Sequence, residues 1–103
     1  MVLKFWLGKN NKQNDYLTKN AASSDMWFHT QSIHGSHVIL KTDGKPVDDD
    51  TIYKCATIAA KGSRAKHSSN IPVDYCYAKY VKKPSGAKPG MVVYKNYKTI
   101  FVK

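Results

Sequence analysis

The chain has 103 residues, enough for one domain with a modest core. Its 42% apolar and 12% aromatic content excludes a disordered chain, and no apolar run approaches the roughly 20 residues of a membrane span. The net charge of +10 lies wholly in residues 52–103, where ten lysines and Arg64 face Asp74 alone; six lysines and six aspartates cancel over residues 1–51. An excess this one-sided points to a polyanionic partner: RNA, DNA or an anionic membrane surface.

Residues 2–7 alternate Val2, Lys4, Trp6 against Leu3, Phe5, Leu7, which predicts a first strand ended by Gly8. This start is too short and too strand-like for a signal peptide, and a cytoplasmic location is expected. A polar, turn-rich stretch leads into a short helix over 11–22, with Tyr16, Leu17 and Ala21 on its inner side. The run 25–30 and the run 36–40 flank a Gly35-Ser36 corner and read as an antiparallel hairpin. With Thr30 opposite Ser36, Phe28 faces Val38 and Met26 faces Leu40 on an oily side. On the other side His29 faces His37, Trp27 faces Ile39 and Asp25 faces Lys41. A slip of one residue would mix the two sides, so the clean sorting favours this register.

Lys41-Thr42-Asp43-Gly44 is a turn by composition. Asp48-Asp49-Asp50 precedes a helical pattern over 50–66, where aspartates cap free N–H groups and suit the positive end of the helix dipole. Ile52, Cys55, Ala56, Ala59 and Ser63 share the small-residue face of that helix. Lys54, Thr57, Lys61 and Arg64 form a basic stripe on the other. Residues 67–72 read as a loop, 73–81 as one long strand, and 82–90 as an irregular segment rich in proline, glycine and lysine. Residues 91–95 and 99–103 read as a terminal hairpin. The whole is α+β: a mainly antiparallel sheet with two helices packed on one face. Cys55 and Cys76 fall in core segments without metal-type spacing and read as reduced, buried thiols.

His29, His34 and His37 invite a zinc reading, but the chain has no glutamate and Asp25 sits far along the strand from His37. Ser36 and His37 are neighbours in an extended run and point to opposite faces, so they cannot form a Ser–His couple. No metal, cofactor or catalytic residue is therefore expected. Recognition fits better. Trp27 can stack on a base, and His29 and His37 can donate to phosphate or ribose. Gly35 and Ser36 offer backbone N–H groups, while Lys41, Lys82, Lys83 and Lys88 neutralise phosphates beside the Lys54, Lys61, Arg64 stripe. The bland alternative is that the histidines merely fix the corner.

Asp25-Met26-Trp27-Phe28-His29 followed by Gly35-Ser36-His37-Val38-Ile39 resembles the D-x-W-F-H…P-G-S-H-V signature of the RNA-binding (R) domain of NFACT proteins. Gly8-Lys9-Asn10 with Gln13-Asn14-Asp15 is similar to the family's G-R-N…Q-N-D segment. Ala59-Ala60-Lys61-Gly62-Ser63-Arg64-Ala65-Lys66 resembles its A-A-x-x-S-x-A-R/K helix. Val73-Asp74-Tyr75 and the stretch Val81 to Val92 resemble its V-D-Y…V-K-K-P-x-G-A-K-P-G-M-V tail. The likeness covers essentially the whole chain, as one domain over 1–103, either excised from a larger protein or stand-alone. It implies an RNA-binding module of a ribosome-associated quality-control factor, contacting tRNA or large-subunit rRNA on obstructed large subunits. Some bacterial members carry a fibronectin-binding label, which implies the alternative of a protein-adhesion module. His34 stands where the family has proline, Lys9 where it has arginine, and Cys76 where threonine is common.

Overall fold

A computed structural model describes residues 4–31, 35–63 and 69–103. The expectations that fall on Val2, Leu3, His34, Arg64, Lys66 and His67 lie outside the described residues.

Seven strands and two α-helices follow in the order β1 (Lys4–Leu7), α1 (Asn11–Asn20), β2 (Met26–Thr30), β3 (Val38–Lys41), α2 (Asp49–Lys61), β4 (Ile71–Tyr77), β5 (Val81–Lys82), β6 (Val93–Tyr94) and β7 (Lys98–Val102). Five of the strands form an antiparallel sheet in the order β1-β3-β2-β4-β7. The β2–β3 register is Met26 to Leu40, Trp27 to Ile39 and Phe28 to Val38, as the side-chain sorting required.

Period-two alternation gives the sheet two faces. On one, Met26, Phe28, Val38, Leu40, Ile71, Val73 and Val102 are buried under α2. Cys55, Ala56, Ala59 and Ala60 line the helix side of that contact. Their small side chains let the helix backbone come close to the strands, and burial here drives folding. Asp48 caps α2: its side chain accepts the Thr51 N–H at 2.7 Å. Hydrogen bonding from Thr51, by its hydroxyl first and its backbone N–H second, holds the Asp48 carboxyl below its ordinary range.

The other face carries Trp27, Ile39 and Cys76. It is covered by Leu17 and Ala21 at one side and by Tyr80, Val81, Val92 and Tyr94 at the other. The fold class stands as α+β, but the helices do not share a face. α2 covers the Phe28 face and α1 the Trp27 face. The apolar part of α1's inner side is only Leu17 and its flanking Ala21, which suits the narrow space over Trp27 and Ile39; Tyr16 is exposed.

Three boundaries also differ from expectation. α2 stops at Lys61, because the Gly62 N–H caps the Ile58 carbonyl and turns the chain. Ile71 and Pro72 belong to β4, and the predicted long strand breaks after Tyr77 into a 3-10 turn over Ala78–Tyr80. The terminal hairpin does not form. β6 pairs with β5, Val81 opposite Tyr94, in a separate two-stranded ribbon. Asn96, at φ 54°, turns the chain, and β7 joins the main sheet beside β4. Cys55 and Cys76 are buried free thiols, beneath opposite faces of the sheet.

Candidate nucleic-acid interface

The Gly35-Ser36-His37 corner is held by Asn14, a buried residue of α1. Asn14 Oδ1 accepts the His37 N–H at 3.0 Å, and its Nδ2 donates to the Gly35 carbonyl at 3.2 Å. The Gly8 N–H donates to the His37 carbonyl at 2.9 Å. α1 itself starts from Asn10, whose side chain accepts the Gln13 N–H at 2.9 Å, while Gln13 Oε1 accepts the Lys9 N–H at 2.9 Å. The Gly-Lys-Asn and Gln-Asn-Asp segments are thus one clamp. Gly8 lies so close to Asn14 that a Cβ there would fall 2.0 Å from Asn14 Oδ1.

Beyond α2, Gly62 and Ser63 interlock with the same corner. A Cβ on Gly35 would lie 2.7 Å from Ser63 Cβ, and one on Gly62 would lie 2.6 Å from Ser36 Oγ. Ser36 Oγ donates to the Gly62 carbonyl at 3.3 Å. Two glycine-serine pairs therefore pack reciprocally, each glycine making room for the other's serine.

Trp27 is 0% exposed. Its ring stacks on His29 at 5.7 Å, meets the edge of His37 at 5.3 Å and tilts against Tyr94 at 4.6 Å. His29 and His37 contact each other edge-on at 4.8 Å. His37 Nδ1 lies 3.2 Å from Thr18 Oγ1, whose hydroxyl donates to the Asn14 carbonyl at 2.9 Å. With that proton so directed, Nδ1 of His37 is the donor to Thr18.

Asp74, opposite His29 in the β2–β4 register, is buried and saturated. It accepts from Tyr94 Oη at 2.5 Å, Thr99 Oγ1 at 2.7 Å and Gln31 Nε2 at 3.2 Å. Burial, reinforced by the bond to the Asp74 carboxylate, pushes the Tyr94 phenol well above its ordinary value.

These positions correct the picture of an open Trp/His surface. Trp27 and His37 are interior and Ser36 is engaged with Gly62; His29 and Gly35 are half-buried. Trp27 cannot stack on a base from where it sits, because α1 and the β5–β6 ribbon already cover that face. Its ring packs instead against the His29 and His37 rings. Lys83 is also committed: its Nζ lies 2.9 Å from Asp15 Oδ1, and this bond holds the Asp15 carboxyl below its ordinary range.

Lys41, Lys54, Lys61, Lys82 and Lys88 are exposed. The sheet separates Lys54 and Lys61, on α2, from Lys82 and Lys88, on the ribbon side. Arg64 lies outside the described residues. Sequence reasoning missed Asn14, Asp74 and Tyr94 as the supports of the site, although Asn14 and Asp74 stand inside the quoted family motifs. It also missed Trp6, which is 44% exposed.

Among the described residues no group of three His, Cys, Asp or Glu side chains could hold a metal ion, and no helix is long and apolar enough to cross a membrane.

The family model for the NFACT protein RNA binding domain matches residues 3–96. The Rqc2 homolog RqcH of Bacillus subtilis is 52% identical over 101 residues, which is 97% of this chain and 17% of that protein. The Rqc2 homolog RqcH of Streptococcus suis is 45% identical over 97 residues, 93% of this chain and again 17% of that protein. The solved C-terminal part of the fibronectin/fibrinogen-binding protein from Streptococcus suis superposes with a TM-score of 0.91 at 42% identity, over 97% of this chain and 40% of that one. The chain thus spans about a sixth of the length of the relatives it matches. Motifs, fold and these likenesses agree: the chain belongs to the family of NFACT RNA-binding domains.

Proposed function

We propose that this domain is a non-catalytic RNA-binding module of a ribosome-associated quality-control factor. It works in the cytoplasm and contacts tRNA or large-subunit rRNA on obstructed large subunits. One observation carries the reading beyond family membership. The only acid of residues 52–103, Asp74, is 1% exposed and accepts three hydrogen bonds. No exposed carboxylate of that half offsets its lysines. A cationic surface of this kind suits the phosphate backbone, whose neutralisation releases counterions. Lys54 and Lys61 on one side, and Lys82 and Lys88 on the other, are the contacts of this reading; Arg64, outside the described residues, joins them from the sequence alone. Lys41 adds a third point. His29 presents its exposed edge to ribose or phosphate, held by Trp27 and His37.

Crosslinking of the domain to ribosomal particles, followed by mapping of the RNA, tests this. Crosslinks to tRNA or large-subunit rRNA are expected through the lysines named. Absence of RNA crosslinks, together with binding to an extracellular protein such as fibronectin, would favour the adhesion reading suggested by the name of the Streptococcus suis structure.

A further inference from the structure

We propose that the groove between Trp6 of β1 and Tyr16 of α1 holds one unpaired RNA nucleotide, its base stacked between the two rings. This rests on the RNA-binding reading above and adds a site away from the residues that reading uses, apart from Lys41. β1 is an edge strand, and Trp6 is 44% exposed on it; Tyr16, across the groove, is 67% exposed. The two rings wall a cavity of about 330 Å³, floored by Leu17 and Ile39. That volume lies within the range of small-ligand sites, and two exposed rings over an apolar floor make a stacking platform.

The charges beside the groove point to a phosphate. Lys4 lies directly opposite Lys41 in the β1–β3 register, on the same face as Trp6. Like charges directly opposite each other on neighbouring strands are destabilising. The Asp43 carboxylate reaches only to 3.9 Å from Lys41 Nζ, and both side chains are widely exposed. A contact of that kind contributes little. A phosphate between the two ammonium groups turns the repulsion into attraction, with the attached base directed toward Trp6 and Tyr16.

The polar groups lining the groove serve either kind of base edge. Asn20 Nδ2 donates one of its two N–H groups to the Tyr16 carbonyl at 2.8 Å and keeps the other beside Oδ1. Asp25 contributes a carboxylate, oriented by the Ala22 N–H at 2.9 Å, and Lys41 an ammonium. Donors and acceptors side by side take any base, so stacking and the phosphate carry the binding.

Anisotropy titrations of labelled oligo(A), oligo(C) and oligo(U) RNA test the site, with Trp6→Ala, Tyr16→Ala and Lys4→Glu beside the wild type. Both aromatic positions are exposed, so these variants fold; circular dichroism checks it. Each aromatic replacement should weaken oligo(A) binding by roughly five- to a hundredfold, the usual weight of one stacked base. Lys4→Glu should raise the melting temperature by removing the like-charge pair and still weaken binding. Wild type should bind all three oligomers, since every base has a face to stack. If wild type binds RNA and the aromatic variants bind as tightly, the groove is not the site, while the RNA-binding function stands. Binding confined to one of the three oligomers would overturn a groove open to any base. If wild type binds none of the RNAs, nor tRNA, both proposals fall.

Discussion

Removing the side chain of Asn14 should disconnect α1 from the corner that carries His37. The Asn14→Ala variant loses the acceptor for the His37 N–H and the donor to the Gly35 carbonyl, both held by a residue that is 2% exposed. Leaving a buried backbone group without its partner costs about 1–3 kcal/mol, so two such groups give about 2–5 kcal/mol. At roughly 4–8 °C per kcal/mol for a domain of this size, the melting temperature should fall by about 8–40 °C. Urea denaturation measures the free energy and calorimetry the melting temperature. Gly8 supplies an internal check. A Cβ there would sit 2.0 Å from Asn14 Oδ1, so Gly8→Ala damages the same contact. In the Asn14→Ala background that clash is gone, and Gly8→Ala should cost at least about 1 kcal/mol less than in the wild type. A change within about 0.5 kcal/mol for Asn14→Ala, or additive effects of the two substitutions, would refute the clamp.

Other outcomes follow from the same geometry. Asp74→Ala leaves the Tyr94 and Thr99 hydroxyls without their acceptor and should cost about 2–4 kcal/mol in urea unfolding, whereas Asp74→Asn, which keeps one accepting oxygen, should cost less; equal costs would contradict the network. Lys88→Ala should weaken tRNA binding, reduce its salt slope by about 1 and leave the melting temperature unchanged. Lys83→Ala should instead loosen the ribbon from α1, because its ammonium is held by Asp15. That contact persists above the ordinary carboxylate range and is lost as pH falls through the lowered Asp15 value, so acid should erase the difference between wild type and Lys83→Ala. Burial pushes the Cys55 and Cys76 thiols up to about 11. With raised folded-state values, stability is full below the ordinary thiol value near 9 and falls as pH rises toward 11. Cys55→Ala should flatten that alkaline decline in a melting-temperature series, and an unchanged slope would remove the thiol as its cause.

Local patterns carried part of this fold and long-range docking carried the rest. The β2–β3 register follows from alternation, because only one register keeps Phe28, Val38, Met26 and Leu40 on one side. The Asp48 cap is equally local. The fate of the Trp27 face is not local. Whether that face meets solvent depends on Leu17, Val92 and Tyr94, and these reach it only after the chain folds back through a ribbon whose strands have two residues each. Strands that short leave almost no alternation to read. The positive φ at Asn96, which separates β6 from β7, is likewise invisible in apolar periodicity. Trp27 stood out by its motif, but nothing local marked it as buried. Trp6, on the Lys4 side of the first strand, drew no site reading and lies on an exposed edge.

The measurement closest to the central claim is tRNA affinity of this domain across a salt series. Log affinity should fall steeply and linearly with log salt, with a slope reduced in Lys54→Ala, Lys61→Ala and Lys88→Ala. A slope near zero, or a slope untouched by those replacements, would contradict it.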